Sequence, residues 1–104
     1  MAFGVMGGQH QPQGHVQFLL NFLLHGMTLQ EAISAPRFDI RTENFVALEC
    51  DFPAELREHL TTLGHKIVEN DTGPFGGAQA LRLLPNGTFE GASDSRKDGC
   101  ALGY

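Results

Sequence analysis

The stretch from Val16 to Leu24 constrains the chain more than any other. Val16, Leu19, Leu20, Leu23 and Leu24 recur at i, i+3, i+4, i+7 and i+8, the spacing of one helical face. Phe18 and Phe22 supply a second apolar face, and Gln17, Asn21 and His25 form a narrow polar stripe between the two. A helix apolar on most sides has to pack on more than one side. Pro12 suits the first turn of such a helix, and Gly26 is placed to end it. The spacing predicts a helix over about 13–25 with a face that needs covering.

The other elements are read from local signals. Ala2 to Met6 is short and apolar, as at the end of a strand, and Gly7-Gly8 interrupts it. Thr28-Leu29-Gln30-Glu31 has the form of a capping box, so a second short helix starts at Thr28 and stops before Pro36. Phe45 to Cys50 has strand composition. Pro53 is expected in the first turn of a third helix, with Asp51 or Phe52 as N-cap and Leu56, Leu60 and Leu63 along one face. Gly64 closes that helix, and Lys66 to Glu69 forms a short strand. Asp71 to Gly77 reads as loop. Ala78 to Leu84 and Thr88 to Ala92 flank Pro85-Asn86-Gly87 as the two arms of a hairpin. The expected architecture is α+β, with helices packed on a mixed sheet that ends in a C-terminal hairpin. At 104 residues, a single domain over 1–104 is expected.

Charge and motif spacing exclude several kinds of function. Seven basic against twelve acidic side chains leave a formal charge of −5, the wrong sign for a nucleic-acid binder. The one basic cluster, Arg96-Lys97, is flanked by Asp94 and Asp98. No apolar run reaches the ~18 residues of a membrane span, and no basic segment precedes an apolar one as in a signal peptide. Cys50 and Cys100 lack metal-type spacing. They are compatible with one disulfide or with two buried free thiols, so the compartment stays undetermined.

Few residues are candidates for chemistry. Gly7-Gly8 lies between a strand and a helix start, where unshielded backbone N–H groups meet the positive end of the helix dipole. That arrangement suits an oxyanion during acyl transfer, although a plain tight turn has the same sequence. The five histidines include no HxxxH or HExxH pair, so no metal site is expected. His15 is expected to be a packed, hydrogen-bonded group. Ser34, Ser93 and Ser95 lie outside any GxSxG elbow. Asp94, Arg96 and Asp98 are expected to form an exposed, salt-bridged turn, because charge runs are usually solvated.

Several segments together resemble one family. Met6-Gly7-Gly8 followed by Gln11-Pro12-Gln13-Gly14-His15-Val16-Gln17 is similar to the glycine pair and following helix of γ-glutamyltranspeptidases. Gln30-Glu31-Ala32 with Ala35-Pro36-Arg37-Phe38, Leu63-Gly64-His65, and Phe75-Gly76-Gly77-Ala78-Gln79-Ala80 continue the likeness in order. Gly91-Ala92-Ser93-Asp94 with Arg96-Lys97-Asp98-Gly99 ends it. The resemblance covers about 4–104.

The resemblance implies an N-terminal-nucleophile hydrolase with an αββα sandwich, matured by self-cleavage into a large and a small subunit. It implies an N-terminal threonine that attacks the γ-glutamyl amide of glutathione-type substrates, with transfer to water or to an amine. It assigns Gly7 and Gly8 to the oxyanion hole. The family's nucleophile lies well upstream of the glycine pair, where this sequence has only Met1 to Met6, so this chain is expected to be inactive alone. The expected partners are the large subunit and the N-terminal part of the small subunit, or a second copy of the chain. A stand-alone self-associating or partner-binding module is the alternative. No cofactor, nucleic acid or membrane is implied, and localisation is left open because any signal would precede this segment.

Overall fold

The computed structural model describes residues 1–68 and 75–104. The chain forms two compact units, 1–35 with 76–104, and 36–75.

In the first unit, strand β1 (Ala2–Met6) leads through a 3-10 turn at Gly8–His10 into helix α1 (Gln11–Leu19). The helix continues as a π-helical segment over Leu20–Leu24. There the His25 N–H reaches back to the Leu20 carbonyl at 3.0 Å, and Gly26 closes the helix in the left-handed region (φ 67). Helix α2 (Leu29–Ser34) starts at the expected capping box. The Glu31 carboxylate accepts from the Thr28 N–H (2.8 Å) and hydroxyl (2.7 Å), and the Glu31 N–H donates back to the Thr28 hydroxyl.

In the second unit, strands β2 (Phe38–Ile40) and β3 (Phe45–Leu48) pair antiparallel, and β3 pairs parallel with β4 (Lys66–Val68). Helix α3 (Ala54–Thr62) makes the crossover. Pro53 stands at its N-cap instead of inside the first turn, and no side chain caps it. Without an N–H of its own, Pro53 accepts the Arg57 N–H at 3.1 Å through its carbonyl. Strand β2 was not expected; after Pro36, the three residues Phe38–Ile40 are too few to alternate visibly. Leu56 of α3 and Leu63 at its C-cap are exposed while Leu60 is half-buried, so the leucine stripe is only partly covered. Glu69 and most of the expected loop at 71–77 lie outside the described residues.

Strands β5 (Gly77–Leu83) and β6 (Phe89–Ser93) form the predicted hairpin and return to the first unit. β1 pairs antiparallel with β5, giving the order β1-β5-β6. The expected sheet is thus two three-stranded sheets, one antiparallel and one mixed.

Register decides which face of the first sheet is buried. Val5 opposes Ala78, Phe3 opposes Ala80, and Ala80 opposes Ala92. These small residues receive Phe18, Leu29, Ala32 and Ile33 from the helices. The long helix is thus covered on one side and keeps the uncovered face expected of it. Gly14, Gln17 and Phe18 turn inward, whereas Val16, Leu20, Leu23 and Leu24 are exposed. Glycine at position 14 lets α1 approach so closely that an added Cβ would stand 2.7 Å from Val5. Phe18 then fills the space beside Phe3, with ring centroids 4.8 Å apart.

Candidate functional site

The Gly7-Gly8 pair occupies the junction between β1 and the helical run that starts at Gly8. Gly7 adopts φ 144, ψ 27 and Gly8 φ 57, regions that favour glycine. The Gly7 carbonyl accepts the His10 N–H at 3.1 Å, which fixes the turn. The first N–H groups of a helical run have no acceptor within it and lie at its positive end. Among the described residues the space around Gly8 is open, and an added Cβ would meet nothing within 4 Å.

The other side of the turn is tightly buttressed. A Cβ on Gly7 would lie 2.9 Å from the Gly76 Cα, and a Cβ on Gly76 (φ 77) would run into the Met6 carbonyl oxygen. Two glycine pairs, Gly7-Gly8 and Gly76-Gly77, thus meet where β1 and β5 lie side by side, and neither tolerates a side chain at the contact. Beneath them, buried His10 fills a hollow bordered by Gly7, Gly14 and Gly76. The sequence marked Gly76-Gly77 only as part of a family likeness. The contact itself joins residues nearly seventy apart, and no local pattern shows it.

The neighbouring histidine is also specifically held. The His15 Nε2 accepts the Val5 N–H at 3.2 Å, and its Nδ1 donates to the Gln11 carbonyl at 2.6 Å. The packed, hydrogen-bonded role expected for His15 is what the geometry shows. Among the described residues, no three His, Cys, Asp or Glu groups gather closely enough to hold a metal ion.

The Asp94–Arg96 turn is salt-bridged, as expected, but it is not solvated. Asp94 is fully buried, and its carboxylate accepts the Ala78 N–H (2.7 Å), the Arg96 N–H (2.9 Å) and the Arg96 guanidinium (3.0 Å). The guanidinium also donates to the Ile33 and Ala35 carbonyls, tying the end of α2 to the hairpin. Arg96 answers the unpaired carbonyls that end every helix, and Asp94 neutralises it. Cys50 and Cys100 are exposed free thiols, neither bridged nor buried.

Helices packed on one face of an antiparallel sheet, with a glycine turn held open at its edge, make this an α+β fold of the N-terminal-nucleophile hydrolase type. A cephalosporin acylase from Bacillus halodurans superposes with a TM-score of 0.87 at 38% identity, over 98% of this chain and 20% of that one. The γ-glutamyltranspeptidase of Pseudomonas nitroreducens gives a TM-score of 0.85 at 22% identity, over 98% and 54%. In sequence, the oxamate amidohydrolase proenzyme of Klebsiella pneumoniae is 35% identical, across 100% of this chain and 21% of its own length. The model of the γ-glutamyltranspeptidase family matches residues 1–104, and the chain belongs to that family. It spans about a fifth of the length of the oxamate amidohydrolase and the acylase.

Proposed function

We propose that this chain supplies the oxyanion-binding segment of an acyl-transfer enzyme that cleaves γ-glutamyl amides of the glutathione type. The open Gly7-Gly8 turn, braced from behind by Gly76, carries this reading. A hydroxyl nucleophile adds to the amide carbonyl, and the carbonyl π electrons move onto oxygen. The Gly7 and Gly8 N–H groups donate to that oxygen while the charge is present. The tetrahedral species then collapses, expels the protonated amine, and leaves an ester for water or an amine acceptor to open.

The nucleophile is proposed to come from another part of the enzyme. The hydroxyls of Thr28, Thr61, Thr62 and Thr88 are each engaged in a local hydrogen bond. The test is glutamate release from a chromogenic γ-glutamyl amide, by this chain alone and after assembly with a threonine-led segment. Turnover is expected only after assembly; turnover by the chain alone, above a heat-killed control, would overturn the reading. Oxamate and a cephalosporin amide in the same assay rank the acyl donor, and a clear preference for either would replace the γ-glutamyl assignment.

One observation favours a second reading, a self-associating or partner-binding module without catalysis. The outer face of the β1-β5-β6 sheet exposes Met6, Leu81, Leu83 and Phe89. Apolar sheet surface of this kind favours association.

A further inference from the structure

We propose that His15 is a positioning residue for the oxyanion turn, acting as a neutral imidazole that clasps the outer edge of β1 and lets go in acid. The inference rests on the reading of Gly7-Gly8 given above and adds the element that holds it.

β1 is an edge strand of its sheet, so alternate N–H groups point away from β5. The N–H of Val5, two residues before Gly7, is taken up by the His15 Nε2 at 3.2 Å. A backbone N–H can only donate, so Nε2 must accept. The other ring nitrogen lies 2.6 Å from the Gln11 carbonyl, which can only accept, so Nδ1 must carry the hydrogen. The two contacts together specify one neutral tautomer. Protonation places a hydrogen on Nε2, facing the Val5 N–H, and turns the contact from attractive to repulsive.

Among the described residues, the ionisable groups on the elements around His15 are these; α2, which packs on α1, adds Glu31, held in its capping box. β1 has no ionisable side chain after the amino terminus at Met1, and α1 has none besides His15. The 3-10 turn contributes His10, and β5 contributes Arg82, which lies over the Phe22 ring. The Phe3 ring packs on the imidazole with centroids 5.7 Å apart, so the ring cannot swing outward without losing that contact. In the assembled enzyme, losing the clasp frees Met6 to Gly8 and lowers the turnover rate more than substrate binding.

The test uses nitrogen chemical shifts of the imidazole and amide hydrogen exchange at Val5, with Ala80 in the central strand as control. At about pH 7.5 the His15 Nδ1–H tautomer is expected, with Val5 protected. Lowering the pH to about 5 should cut Val5 protection about tenfold or more and leave Ala80 unchanged. His15→Gln places an accepting oxygen at the Nε2 position and should remove the pH step while keeping protection. His15→Phe should lose protection at every pH. An Nε2–H tautomer, or Val5 protection indifferent to both pH and His15→Phe, would overturn the proposal. These readouts do not involve catalysis. A failed oxyanion role, seen as unchanged turnover on loss of the Gly8 N–H, is therefore distinguishable from a failed clasp.

Discussion

Replacing Asp94 with asparagine removes one charge and no volume, which makes it the sharpest perturbation of the first unit. The wild-type carboxylate serves three donors from a fully buried position, and its ion-pair partner Arg96 is only 18% exposed. Asparagine keeps one accepting oxygen and turns an NH2 group toward donors. Either the Ala78 N–H or the guanidinium then loses its acceptor. An orphaned buried amide costs about 1–3 kcal/mol, and breaking a buried ion pair by removing one partner costs about 3–5 kcal/mol. The two overlap, so Asp94→Asn should destabilise by about 2–4 kcal/mol and Asp94→Ala by somewhat more. With a urea slope of about 1.5 kcal/mol per molar, the midpoint should fall by roughly 2 M. A double-mutant cycle with Arg96→Met should show about 1–3 kcal/mol of coupling. A midpoint shift below about 0.3 M, or strict additivity, would refute the clamp.

Gly76→Ala combines a left-handed backbone with a collision at the Met6 carbonyl and should cost about 2–5 kcal/mol. Gly8→Ala, with open space around it, should cost only about 1–2 kcal/mol; thermal unfolding of both variants checks the order. Phe89→Ser, at a side chain 69% exposed, should change stability by less than about 0.5 kcal/mol and reduce self-association in sedimentation. Hydrogen bonds from the Thr28 side chain and then its backbone hold the Glu31 carboxyl below the usual glutamate range. The cap's contribution is thus complete above that range and is lost as the pH falls through the lower folded-state value. Carboxyl titration by NMR should show Glu31 moving back up in Thr28→Val; no movement would remove the cap from the account.

Local chemistry was the legible part of the sequence. The Thr28 capping box, the Asn86-Gly87 hairpin and the Gly7-Gly8 break depend on neighbours within a few residues, and each stands where it was expected. Helix α1 shows why the rest was not legible. Its leucine periodicity was read correctly as helix, but its inward face was set by Gly14 and Phe18 meeting a sheet of alanines distant in sequence. A glycine that permits close approach adds nothing to an apolar stripe, so periodicity shows that one face goes uncovered but not which one. Asp94 was misjudged for a related reason. Charged runs are usually solvated, and only the meeting of the α2 carbonyls with the end of the hairpin makes a buried carboxylate useful there. At the candidate site, Gly7 and Gly8 were visible as a motif, while Gly76 and His10 became visible only once β1 and β5 were paired.

The most direct test of the account is to replace the Gly8 amide with an ester. The replacement deletes one N–H and leaves every side chain in place. Within the assembled enzyme, the ester should lower kcat for a γ-glutamyl amide about 10²–10³-fold with little change in KM, the signature of a donor used only in the transition state. A kcat within about threefold of the all-amide enzyme would contradict the assignment of Gly8 to the oxyanion.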